Sequence, residues 1–359
     1  MPQLSSRAVS IPGLPCSEDL ALVPFLENQL VAVDNSGWQL YRFPLASPEA
    51  APEIIALYKP LPTEHPETDY DFKRHFSPLT LCPSPDGRWL AWAQTLGADG
   101  GVLELKSGRQ ILTLNRAPYC EDVSPFPLGF VTLEQRLVLV YATAWNRIDA
   151  TDIASGKLLT ERGPTESVGK QKPPHYLNYF HSSLSVSPGS TWLITNGWAW
   201  HPCGCMGAWR TDAWLGKSGN VWESEDGLTK FYIEETSAVY FWDRPHCWLD
   251  DDTIAFWGRG DDDEELEDAL GIYSLPERKL LRWVEGPHAR DGFLAFEKDE
   301  GVLIAVSPKS GTTLWDIQSG EKLVEENTLH PRLWHPGLKA LIATGDENSD
   351  AVHVIRWNH

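Results

Sequence analysis

Three features of the sequence predict an all-β fold, a single seven-bladed β-propeller of four-stranded antiparallel blades. A short apolar strand, a polar turn and a second strand opening on Leu or Ile recur seven times. A second hairpin with a Ser-Gly or Pro-bearing turn follows several of these. Helical periodicity is weak throughout, and 28 Gly and 27 Pro in 359 residues disfavour long helices.

The first hairpins read, in order, PFLENQLVAV, CPSPDGRWLAWA, GFVTLEQRLVLVY, LSVSPGSTWLIT, CWLDDDTIAFW, AFEKDEGVLIAV and LWHPGLKALIAT. Their equivalent apolar positions are Leu30, Leu90, Leu137, Leu193, Ile254, Leu303 and Leu341, spaced by 60, 47, 56, 61, 49 and 38 residues. The second hairpins include LELKSGRQILTL, DATDIASGKLLT, IYSLPERKLLRW and LWDIQSGEKLVEE, where Ser-Gly between alternating segments signals a tight turn. Hairpin plus hairpin makes a four-stranded unit, and repetition at roughly 40–50 residues is the pattern of propeller blades. The expected blades are 20–58, 77–115, 124–162, 181–225, 238–285, 291–326 and 329–359 within one domain, 1–359. The N-terminal segment is expected to close the ring by joining the last blade.

The segment LWDIQSGEKL, with Trp315-Asp316, resembles the end of a WD repeat, and SPDGRWLAWA at 84–93 resembles the start of one. The chain thus resembles a divergent, bacterial WD-repeat-like propeller. Trp242-Asp243 is a false match, because it precedes a first hairpin. The Gly-His dipeptide that opens such repeats is absent. The resemblance implies an interaction platform without catalysis and names no partner.

Lys and Arg number 30 against 50 Asp and Glu, a net charge of −20. The window 234–268 alone holds 13 acidic and 2 basic residues. Such a field repels phosphate backbones and anionic lipid, so neither nucleic acid nor membrane is an expected partner. A basic protein is electrostatically allowed. No 18-residue apolar run or export-type start is readable, and the six cysteines are expected to be reduced, in a cytoplasmic protein.

No GxSxG, HExxH or EF-hand pattern occurs. Gly216-Lys217-Ser218 mimics a phosphate loop, but Thr211 stands where its first Gly belongs. No catalytic residue and no cofactor are expected. Residues 195–209, TNGWAWHPCGCMGAW, depart most from the repeat and read as a loop after the second strand of blade four. It either packs its Trp side chains or presents Trp198, Trp200 and His201 to a partner. His201, Cys203 and Cys205 are weak zinc candidates, with His246 and Cys247 distant in sequence, because C-x-C is tighter than the usual ligand spacing. The run 258–270, with Asp261, Asp262, Asp263, Glu264 and Glu265, lacks the spaced pattern of a calcium loop and reads as a solvated insertion or a docking edge. Two long connections, 59–76 and 163–181, carry Pro, His, Tyr and charge; Tyr176 and His181 of the second are binding candidates. Antiparallel strand order puts all four segments on one face, where a rigid scaffold builds a binding surface.

The expectation is therefore a protein-binding module using the face of the 195–207 and 258–270 loops, such as a neutraliser of a basic toxin. The alternative is an enzyme or small-ligand binder with His75, His175, His181, His201 and His335 converging on the central channel.

Overall fold

The computed structural model describes residues 3–10, 20–34, 39–45, 53–57, 79–167, 169, 171–215, 232–344 and 351–358. Seven four-stranded antiparallel sheets make a seven-bladed β-propeller. In six blades the spatial order of strands a to d follows the chain. The seventh takes strands a to c from Leu333–His335, Ala340–Thr344 and Ala351–Asn358, and its outer strand from Gln3–Ser10. The N-terminal segment thus completes the last blade, as the sequence predicts.

The chain divides into two compact units, 5–114 with 332–356, and 115–331 with the two chain ends. The first holds blades one, two and seven. The second holds blades three to six. Blade three is Leu128–Leu133, Arg136–Ala144, Arg147–Asp152 and Lys157–Leu158; blade four is Phe180–Val186, Trp192–Ala199, Cys203–Arg210 and Tyr232–Val239. Blade five is His246–Trp248, Thr253–Arg259, Glu267–Ser274 and Lys279–Glu285; blade six is Phe293–Glu297, Val302–Ser307, Gly311–Asp316 and Lys322–Glu326.

Strand b of blade five shows why these segments read as continuous apolar runs. A strand's side chains alternate between faces, and here both faces are covered. Ile254 and Phe256 pack with Ile194 and Met206 of blade four, while Ala255 and Trp257 pack with Leu303, Ala305 and Trp315 of blade six. All four are buried. Full burial of each large apolar side chain contributes about 1.5–3 kcal/mol, the main stabilisation of stacked blades. The unit 5–114 with 332–356 repeats the arrangement, with Ala21, Val31 and Leu40 packing on Leu81, Leu90 and Leu103.

The sequence reading of 195–207 as a loop is corrected. Thr195 to Ala199 pair residue by residue with Gly207 back to Cys203, leaving Trp200, His201 and Pro202 as the connection. The glycines that signal a loop serve close packing here. Likewise Trp257 pairs with Leu270 and Arg259 with Glu267, so the acidic connection is 260–266 and includes a 3-10 turn at Asp263–Glu265. The outer strand of blade four, Tyr232–Val239, lies beyond residue 225. The connection 59–76, with His75, lies outside the described residues.

Candidate functional site: an aromatic and acidic edge on blades three to five

Within residues 115–331 the b–c turns and the d–a connections leave the blades at one edge. The turns are 145–146, 200–202, 260–266 and 308–310; the connections are 159–179, 240–245 and 286–292. Segment 116–127 leads into strand a of blade three at the same edge.

Four rings stack across this edge. Trp145 lies 4.3 Å from Phe180, Phe180 is parallel to Trp198 at 3.8 Å and 3°, and Trp198 lies 5.5 Å from Trp242, centroid to centroid. The stack draws on blade three, blade four and the connection to blade five. Two of its indoles are anchored: Trp198 Nε1 donates to Ser124 Oγ at 2.9 Å, and Trp242 Nε1 to Val123 O at 3.1 Å. The stack therefore also fixes segment 116–127, whose other anchor is Arg116. That buried guanidinium donates to the carbonyls of Glu121 and Ser124.

Two glycines allow the approach. A Cβ on Gly197 would lie 2.0 Å from Phe180 O, and one on Gly204 would lie 1.7 Å from Phe241 O. These residues flank the turn that carries Trp200, so the chain entering blade four and the chain leaving it both pass directly over the hairpin.

Other rings stand around the stack. Tyr119 lies edge-on to Trp145 at 5.8 Å, Tyr176 edge-on to Trp145 at 6.4 Å, and Trp200 perpendicular to both Phe180 and Trp198. Exposure separates the roles. Phe180 and Trp198 are 1% and 3% exposed, whereas Tyr119 and Trp200 are 48% and Tyr240 is 64% exposed. The buried rings form a floor, and Tyr119, Trp200 and Tyr240 present apolar surface to solvent.

The turns that present them are held in uncommon backbone conformations. His201 has φ 111°, Tyr240 φ 59°, Asp243 φ 57° and Cys120 φ 59°. Non-glycine residues in this region cost free energy and persist only where surrounding contacts over-determine them. Here the contacts are explicit. Tyr240 N donates to Pro202 O at 2.9 Å, and Val239 N donates to Asp261 O at 2.8 Å. Two hydrogen bonds thus lace the Trp200 turn, the Tyr240 turn and the acidic connection into one edge.

The acidic run is ordered and divided in role. Asp262 caps the 3-10 turn by accepting from Glu264 N at 3.0 Å. Asp263 pairs with Arg290 at 2.5 Å. Asp261, Glu264 and Glu265 are exposed and have no ion-pair partner among the described residues. Arg259 is occupied by Glu267 and Glu285.

Beside the Tyr240 turn lies a partly buried polar layer that the sequence did not announce. Asp243 accepts from Ser182 Oγ at 2.7 Å and Ser183 Oγ at 2.9 Å, and burial without a cation pushes its carboxyl up to about 6. Arg244 donates to the carbonyls of Trp257 and Gly258, and burial holds its pKa down at about 10. Ser185 Oγ and His246 Nε2 are 2.7 Å apart, and His246 Nδ1 lies 3.1 Å from Arg244 O. On the blade-three side, Asn146 donates to the carbonyls of Thr165 and Leu177 and accepts from Thr165 Oγ1, which pins the connection carrying Tyr176.

The residues singled out in the sequence separate accordingly. Trp200, His201, Asp261, Glu264 and Glu265 are exposed at the edge, and Asp262, Asp263 and Tyr176 are half-buried there. Trp198 is corrected to a floor residue, because strand pairing with Gly204 carries its ring into the stack. His181 is corrected likewise. It is 1% exposed, its Nδ1 is 3.2 Å from Thr195 Oγ1, and burial lowers its pKa to about 3. His335 is buried against Gln29 O in the other unit. Cys205 is buried, and that burial pushes its thiol up to about 12, while Cys203 Sγ lies 3.2 Å from Ser237 Oγ. Among the described residues no group of three His, Cys, Asp or Glu side chains could hold a metal ion, so His201, Cys203 and Cys205 do not form a centre.

Tyr119, Trp145, Tyr240 and Trp242 escaped the sequence reading as site residues. Each lies in a connection between strands, a signal that becomes specific only once the blade order brings those connections together. Compared with known proteins, the chain matches no family model, and no curated protein is similar to it at a significant level.

Proposed function

We propose that this chain is a non-catalytic, cytoplasmic protein-binding module that docks a basic protein partner on the aromatic and acidic edge of blades three to five. The carrying observation is the pairing of exposed Trp200 and Tyr240, on over-determined turns, with exposed carboxylates that have no cation partner among the described residues. Rigid aromatic side chains in a charged rim are the usual makings of an interface hot spot, and unpaired rim charge steers an oppositely charged partner. A nucleic-acid-binding toxin is a partner of the required sign. The chain is read as a divergent bacterial WD-repeat-like propeller because Trp315-Asp316 closes the third strand of its blade. Five free cysteines among the described residues are in keeping with the cytoplasmic part of this reading.

The test is crosslinking in the native host with wild-type protein, Trp200→Ala, Tyr240→Ala and Leu281→Ala. Leu281 is also exposed, but on an outer strand away from this edge. The expected result is one basic protein captured by wild type and Leu281→Ala and lost from the two edge variants. Equal capture by all four proteins would sink the assignment of the edge.

A further inference from the structure

We infer that the exposed indole of Trp200 receives an arginine side chain of the partner. This rests on the docking reading above and names the chemistry of its central contact. Phe180 and Trp198 form a parallel pair, and Trp200 is perpendicular to both, at 5.4 and 5.5 Å from their centroids. A ring equidistant from two stacked rings and perpendicular to them stands beside the stack and not in it. Trp200 touches the stack and is still 48% exposed, so much of its indole is available to a partner.

The face of an indole carries the negative end of the ring quadrupole and attracts cations. The same edge already uses this attraction internally. Lys172 Nζ lies 4.5 Å above Tyr176, and Phe241 has Arg244 at 5.2 Å and Arg290 at 5.7 Å. Trp200 has the same kind of surface with no cation of the chain over it among the described residues. Its turn is joined through Pro202, Tyr240 and Val239 to Asp261, which like Glu264 and Glu265 has no ion-pair partner among the described residues. A cation over Trp200 therefore meets a ring face and a negative rim together. Guanidinium fits this better than ammonium. It is planar, stacks on an indole, sheds water more readily, and keeps N–H donors in its own plane for carboxylates at the rim.

The experiment uses full-length protein labelled with 5-fluorotryptophan, with the Trp200 resonance assigned by its loss in Trp200→Phe. The probes are a blocked Gly-Arg-Gly-Arg-Gly peptide and the same peptide with citrulline, which keeps the shape and loses the charge. The expected result is a saturable shift of the Trp200 resonance by the arginine peptide and binding weaker by roughly tenfold or more for the citrulline peptide. Replacing Asp261, Glu264 and Glu265 by Asn, Gln and Gln should weaken the arginine peptide further and flatten its salt dependence. Equal binding of both peptides would overturn the inference, as would saturation that leaves the Trp200 resonance unmoved. Either result leaves the crosslinking test of the edge intact, so the two readings fail separately.

Discussion

Blade four and blade six solve the same structural problem with different outcomes. In blade six strands b and c are each six residues long and join through Pro308, Lys309 and Ser310; in blade four they are eight residues each and join through Trp200, His201 and Pro202. Two extra residues per strand carry a hairpin roughly 7 Å further along its axis. Blade six stays within the regular repeat. Val302 to Ser307 are all buried, and Asp316 closes the next turn by accepting from Gln318 N and Ser319 N. Blade four uses its extra length to lift Trp200 beyond the sheet while Trp198 holds the hairpin down in the ring stack. Elaboration therefore need not take the form of a long loop; it can be a longer hairpin with glycines where other backbone crosses it.

The comparison breaks most visibly at Trp198. Truncating it to Ala should remove about 3–5 kcal/mol of stability, as for a large buried aromatic elsewhere, because the stack loses a central ring and Ser124 a partner. Trp315→Ala in blade six should cost a similar amount. Urea melts of both variants measure this, and a Trp198→Ala cost near zero would mean that the stack is not what supports the edge.

The next effect concerns Asp243. A carboxyl raised from 3.8 to about 6 holds its proton more tightly in the folded chain. Its contribution is greatest below 3.8 and is lost as pH rises through 6, on the order of 3 kcal/mol in all. Asp243→Asn keeps an acceptor for Ser182 and Ser183 and removes the titration. Its stability relative to wild type should therefore rise between pH 4 and pH 6.5. A difference that stays constant over that range would show that Asp243 does not titrate as placed. Blade six offers the contrast, since Asp316 sits half-buried at a turn and its carboxyl is lowered by hydrogen bonds from Ser319.

The smallest expected effect is at Trp200 itself. Trp200→Ala should change stability by no more than about 1 kcal/mol, because the ring is half in solvent and lies outside the stack. A melt showing a loss comparable with Trp198→Ala would erase the distinction between floor and presented ring.

Hairpin spacing made the blades legible, since each apolar strand is flanked by turn chemistry that acts locally. Burial of Trp198 was not legible. Period two places Trp198 and Trp200 on one face of a strand, and only the pairing of Ala199 with Cys203 shows that the strand ends between them. The ring stack was equally hidden, because Trp145, Phe180 and Trp242 meet through blade order and not through spacing. The acidic run was visible as charge, but Asp262 as a cap and Asp263 as the partner of Arg290 depend on a turn and a cation from a later connection.

The outer strand of blade seven has a consequence for biosynthesis. Gln3–Ser10 lies beside Ala351–Asn358, and Ser5 Oγ donates to Arg356 O across 351 positions of sequence. A strand made some 350 residues before its neighbour is thus among the last to find it. While the residues between are made it waits as an unpaired β-edge, the kind of segment that invites pairing with other chains. Its sequence, QLSSRAVS, suits that wait: one arginine, three serines and a single buried valine, Val9, give little to a wrong partner. Ring closure then comes late and joins distant parts of the chain, so slow refolding from denaturant, limited by this final pairing, is the expected kinetic signature.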